Sequence, residues 1–225
     1  DAVIQDTGGS SGQTAKSDKA RVQDPLIVAG DHSQLADDNG DFAFALYPHL
    51  VKADENLFYS PHSISIALAM TWAGAAGQTA EQMAAALRFT LQPDVLHTGF
   101  NWLDQELAKR DQLTGEEAEE GPGFVLRVAN RLWGQQGYPF ETPFLDTLAL
   151  NYGAGLHLMD FAGAPEDSRL TINAWVEEQT EDRIKDLIPQ GAIDGLTRLV
   201  LANAIYFLAP WDQPFEPELT TQGTF

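Results

Sequence analysis

The sequence predicts an α+β fold, because segments carrying helix start and stop signals are separated by two stretches that read as strands. The first stretch is residues 199–207, LVLANAIYF, almost wholly apolar and bounded by Thr197-Arg198 and Pro210. It is too short for a buried helix of usual length and predicts a strand buried on both faces. The second is residues 124–133, FVLRVANRLW, where Phe124, Leu126, Val128 and Leu132 face one way and Arg127 and Arg131 the other. That alternation predicts a strand with one side partly wet. The third observation is a pair of helix starts, Ser60-Pro61 and Thr142-Pro143, each a capping hydroxyl before a proline whose missing N–H costs nothing at the first helical position.

Taken in order, a first helix is expected over residues 38–51, with Phe42, Leu46 and Leu50 on one face. Pro48 interrupts it, and an internal proline costs about 3 kcal/mol, so a kink or tightening is expected there. The helix after Ser60 is rich in small and aliphatic residues (Ile64, Ala67, Leu68, Ala69, Ala73), which lets it be enclosed on all sides. Thr79 with Gln82 reads as a capping box opening a short helix through Leu87. Residues 94–110 and 167–184 read as helices with acidic or mixed outer faces. The helix after Thr142 carries Phe144, Leu148 and Tyr152 on one stripe and stops at Gly153.

Asn203 sits at the centre of the apolar strand. A buried polar group without a partner costs about 1–3 kcal/mol, so neighbouring elements must meet this amide with hydrogen bonds. Asn203 therefore reads as a junction between strands.

Charge and composition exclude several classes of function. Thirteen Lys and Arg stand against 33 Asp and Glu, a formal net charge of −20 in 225 residues. Such a surface argues against binding a nucleic-acid backbone and against docking on anionic membranes. Cysteine is absent, which excludes disulfides, thiolate metal sites and cysteine nucleophiles. The longest uncharged stretch, residues 56–80, is interrupted by Ser, His and Thr and retains only about 15 residues of dense apolarity, so it reads as a core helix rather than a membrane span. Residues 1–24 are polar with little to bury and read as flexible, and the leader as a whole is drawn to residue 36. A removed signal peptide leaves such a tail, and so does an arbitrary cut in a longer chain.

No constellation points to catalysis. His32, His49, His62, His97 and His157 are scattered, no HxxxH pair or GxSxG elbow occurs, and no catalytic residue, cofactor or metal is expected. Residues 74–79, GAAGQT, lack the lysine of a phosphate loop and follow a helix, so they read as a helix end leading into the next capped helix. The acidic run EEAEE at residues 116–120 lacks the spacing and glycine of a calcium loop and reads as a solvated loop.

Four segments in order carry a family resemblance: NLFYSPHSISIALAMTWAGAAGQTAEQM (residues 56–83), VANRLWGQQGYPF (128–140), INAWVEEQTEDRIKDLIPQGAI (172–193), and the strand at 199–207 with Trp211 and Phe215 behind it. Together they closely resemble the serpin family of serine-protease inhibitors. The resemblance implies helices packed on a large central β-sheet, with residues 37–225 as the N-terminal portion of the domain. It also implies that the remaining strands and the reactive-centre loop lie beyond Phe225. By the same match Ser60 and Asn203 belong to the shutter region and Trp211 to the breach, where the loop begins to insert. Many members carry a lysine where Leu208 stands here.

The implied function is inhibition of a serine protease by suicide-substrate trapping. An exposed loop is attacked, an acyl-enzyme forms, and the cut loop inserts into the main sheet in a large conformational change. The alternative is a non-inhibitory serpin acting as carrier, chaperone or storage protein. A secreted, extracellular and monomeric protein is expected. Heparin binding is not, since the helix after Thr142, matched to the family's fourth helix, carries no Lys or Arg through Tyr152. Ser60 and Asn203 are expected to meet beneath the sheet with little solvent exposure.

Overall fold

The computed structural model describes residues 3–5, 14–53, 55–110, 125–209, 211, 213 and 215–223. Five strands form one sheet: β1 (Val3–Gln5), β2 (Thr14–Lys16), β3 (Val125–Gln135), β4 (Leu156–Met159) and β5 (Leu199–Leu208), in the order β1-β2-β4-β3-β5. Six helices accompany it: α1 (Ala29–Leu50), α2 (Pro61–Trp72), α3 (Gly77–Leu87), α4 (Pro93–Arg110), α5 (Thr142–Tyr152) and α6 (Pro165–Gln179). The acidic run at 116–120 lies outside the described residues.

The sheet has two covered faces, and the register decides which side chain goes where. β3 and β5 pair antiparallel along their whole lengths, with Asn130 opposite Asn203 and Leu132 opposite Leu201. Side chains alternate. Leu132, Leu199 and Leu201 therefore point to the side where Met70 of α2 and Leu145 and Leu148 of α5 pack. Trp133, Ala202 and Ala204 point to the opposite side, onto Ile172, Trp175 and Val176 of α6. A further cluster joins α1, α2 and α4 through Leu35, Ile66, Ala69, Trp72, Leu96 and Phe100.

Local chemistry explains the clean element boundaries. Ser60 caps α2 as predicted, its Oγ accepting from the Ser63 N–H at 3.2 Å. Gly153 ends α5 at φ +60°, a left-handed conformation that glycine adopts without Cβ strain. Gly134 in β3 meets a different need: a Cβ there would fall 2.4 Å from Leu156 Cδ2 and 2.6 Å from the Phe140 ring. Only a glycine lets β3, β4 and Phe140 approach so closely.

Several expectations are corrected. α1 begins at Ala29 and runs through Pro48, which sits in its last turn; the Val51 N–H still bonds the Tyr47 carbonyl, so the proline disturbs only the helix end. α3 starts at Gly77 with Ala76 as its cap and no capping side chain, so the Thr79–Gln82 capping box does not form. The tight α2–α3 turn, with Gly74 N–H on the Thr71 carbonyl and Ala75 N–H on the Trp72 carbonyl, brings the helix start forward. In α5 the cap position falls to Glu141, one residue before Thr142, without a side-chain bond. α6 stops at Gln179 rather than near Ile184 because Glu181 and Asp182 take positive φ and Thr180 Oγ1 accepts from the Ile184 N–H. β5 is not buried on both faces along its length: Ala202 (4% exposed) and Ala204 are buried, while Phe207 is 56% exposed.

Residues 14–24, read from composition as part of a flexible leader, are bound to the helices. β2 pairs antiparallel with β4. Ser17 Oγ donates to Asp146 of α5 at 2.5 Å, and Lys19 meets the same carboxylate at 2.7 Å. Arg21 donates to Asn101 and Asp104 of α4, each at 2.7 Å. The Val22 N–H bonds the Leu150 carbonyl of α5 at 2.9 Å, and the Val22 carbonyl accepts from Asn101 and Gln105 of α4. This segment is a strap across β4, α5 and α4.

Candidate functional site

The apolar side of β3 that packs toward α2 and α5 carries one polar residue near its middle, Asn130, and the corresponding side of β5 carries Asn203. Because these positions are register partners, the amides meet: Asn203 Nδ2 donates to Asn130 Oδ1 at 2.6 Å. The bond is partly buried, and either amide left alone in that setting costs about 1–3 kcal/mol. The expected junction at Asn203 is thus satisfied across the β3–β5 seam.

α2 packs against both strands. At its start Ser60 Oγ donates to Ser63 Oγ at 3.0 Å while accepting from the Ser63 N–H. Ser63 is only 1% exposed, and Ser65 Oγ donates to Asn39 of α1 at 3.1 Å. A row of small hydroxyls thereby lets the helix start sit close to its neighbours, with Ser60 and Ser65 each donating to an acceptor. The expected meeting of Ser60 and Asn203 is not a direct one: among the described residues no hydrogen bond joins them, and Asn203 is partly rather than fully buried. Each instead belongs to its own pair.

Asn130 and Ser63 are members of the site that sequence reasoning passed over. The signal for Asn130 is the same one that singled out Asn203, a polar residue on the apolar side of a strand. For Ser63 it is the spacing Ser60-x-x-Ser63 across a helix start.

Trp211, matched to the breach, is 70% exposed and packs edge-on against Phe215 with ring centroids 5.3 Å apart. It is not part of a core among the described residues. Beside α2, His97 of α4 and Tyr152 of α5 form a buried bridge, Nδ1 to Oη 2.6 Å. Burial lowers the His97 pKa to about 4, against the opposing charge of Asp94, and burial pushes the Tyr152 hydroxyl up. Both are neutral at pH 7.

The fourth helix in chain order is α4, and the helix after Thr142 is the fifth. The expectation about heparin therefore compared the wrong helix. α4 carries Lys109, whose ammonium is 2.5 Å from Glu106, together with Asp94, Asp104 and Glu106. Among the described residues no helix is long and apolar enough to cross a membrane.

The site is thus a two-faced sheet with a ten-residue seam that carries paired asparagines, and a serine-lined helix start packed against it. The chain belongs to the serpin family: the model for Serpin (serine protease inhibitor) matches residues 37–225. It is 42% identical over 194 residues to the leukocyte elastase inhibitor of Bos taurus, covering 85% of this chain and 48% of that protein. It is equally 42% identical to serpin B6 of Pongo abelii, over 85% of this chain and 49% of that one. Among solved structures it resembles cleaved Serpin 42Da (TM-score 0.72, 31% identity, 87% of this chain and 49% of that one). It also resembles ovalbumin from emu (TM-score 0.66, 27% identity, 89% of this chain and 51% of that one). The chain spans about half the length of the curated relatives it matches.

Proposed function

We propose that the protein carrying this chain inhibits a serine protease, with an elastase-type enzyme as the first target to try. The observation that carries the reading is the 42% identity to a leukocyte elastase inhibitor over 85% of this chain, together with a family match over residues 37–225 that takes in the whole β3–β5 seam. In this reading a cleaved loop adds as a strand along the edge of β5 that faces away from β3. β3 and β5 travel together as one unit, held by their full-length pairing and by Asn130 and Asn203. The protein's part is mechanical: strain stored in the uncleaved fold is released when the sheet gains a strand and distorts the trapped protease. Ser60 and Ser63 hold the start of α2 beneath the moving strands, and Trp211 marks the end of β5 where entry begins.

A non-inhibitory carrier, chaperone or storage role is the second reading, since the likeness to ovalbumin is compatible with the same fold.

The test incubates the whole protein with an elastase. An SDS-resistant covalent complex, together with a gain in thermal stability after loop cleavage, supports inhibition. Simple cleavage without complex or stability gain favours the second reading.

A further inference from the structure

A cavity of about 410 Å3 opens where the first part of β3 passes between α4 and α6, with Asn130 of the seam among its lining residues. β4 pairs β3 only at residues 132–135, so among the described residues the edge of β3 before Leu132 has no strand on that side. The cavity runs around this bare edge and is lined by Leu107 and Ala108 of α4, by Arg127, Val128 and Arg131 of β3, and by Trp175 of α6.

Arg131 is the informative residue. It is half-buried, with its guanidinium carbon 4.7 Å from the centre of the Trp175 ring and 5.9 Å from that of Trp133. The nearby arginines are spoken for: Arg127 with Glu181, Arg21 with Asp104 and Arg169 with Glu166. Arg131 has no carboxylate partner among the described residues. Glu178 acts on it only at a distance, and burial lowers its pKa without approaching neutrality of an arginine. The acid that lines the cavity, Asp104, is already engaged by Arg21. The indole N–H of Trp175 is also buried with no acceptor among the described residues.

We infer that this cavity binds a small organic carboxylate, with Arg131 holding the anion and the apolar wall from α4 and β3 holding a flat hydrophobic body. A guanidinium laid over an indole is fixed in orientation and leaves its N–H edge for a planar, bidentate acceptor. The cavity volume falls within the range of about 300–1,000 Å3 typical of ligand sites, and its mixed lining pairs an apolar surface from α4 and β3 with charged and amide groups that can orient an anion. The cavity lies at the edge of β3 that faces away from β5 and shares Asn130 with the seam, and its test reads binding without protease inhibition.

The experiment titrates the whole protein with 2-naphthoate and with its neutral isostere 2-naphthamide, reading heat of binding and tryptophan fluorescence. The acid should bind at least ten-fold more tightly than the amide. Arg131→Met should bring the acid down to the affinity of the amide, and Arg131→Lys should retain part of the preference. Leu107→Trp, which fills the cavity from α4 and leaves Arg131 in place, should abolish binding of both at an unchanged melting temperature, and it decides the matter if Arg131→Met fails to fold. Equal affinities for acid and amide, undiminished binding by Arg131→Met or Leu107→Trp, or no binding of the acid at all, overturns the inference.

Discussion

Asn203 donates its side-chain N–H to Asn130 at 2.6 Å, directly across the register pair that joins β5 to β3. The two amides satisfy each other on an otherwise apolar side of the sheet, so the pair behaves as one unit. Asn203→Leu, which strands the Asn130 carbonyl, should destabilise the whole protein by about 1–3 kcal/mol. The double change Asn130→Leu/Asn203→Leu should recover much of that loss. Urea midpoints of the two single variants and the double variant check this, and strict additivity would remove the coupling.

Removing the cap is a separate lesion. Ser60→Ala deletes the acceptor for the Ser63 N–H at the start of α2 and should cost about 1 kcal/mol. Ser60→Asp, which keeps an acceptor oxygen, should lose less in the same denaturation assay.

His97 makes stability depend on pH in a definite direction. Its folded pKa of about 4 lies below the ordinary 6.5, so the fold favours the neutral ring. The contribution is complete above pH 6.5 and is lost as pH falls from 6.5 through 4, because the unfolded chain takes up a proton that the folded chain refuses. One such proton gives a slope of up to about 1.4 kcal/mol per pH unit in that window. His157, lowered to about 4 by burial and by Arg131, acts in the same window. His97→Gln should flatten the pH profile between 6.5 and 4 while leaving the His157 part; an unchanged profile would exclude His97 as a cause.

Two glycines should respond oppositely to alanine. At Gly134 the new methyl falls 2.4 Å from Leu156 and should cost about 1–3 kcal/mol by overpacking. At Gly40, inside α1 with nothing within 4 Å, alanine should be neutral or stabilise by up to about 1 kcal/mol through helix propensity. Thermal melts of both variants decide it.

Arg21 is the charged link of the N-terminal strap. Arg21→Ala removes its bonds to Asn101 and Asp104 and should raise hydrogen exchange through residues 14–24 and along α4, while α6 stays protected. Unchanged exchange in the strap would mean that its backbone bonds to α5 suffice.

The sequence by itself determined the local elements whose causes are local. Ser60-Pro61 starts α2 and Gly153 stops α5 because a cap and a left-handed turn depend on a few consecutive residues. The alternation in residues 124–133 and the apolar run at 199–207 determined two strands, and the four resembling segments identified the family. Tertiary structure decided everything that depends on distant partners. Asn203 announced that it needed a hydrogen bond, but only the register of β3 on β5 named Asn130 as the partner, 73 positions away in sequence. Thr79 and Gln82 had the letters of a capping box, yet the tight turn after α2 started the helix earlier. Residues 14–24 looked free because their own side chains bury little; they are held by Asp146, Asn101 and Asp104, acids and amides presented by α5 and α4 only once those helices are packed. Periodicity and capping are written in neighbouring residues, whereas complementarity between faces exists only after folding has brought them together.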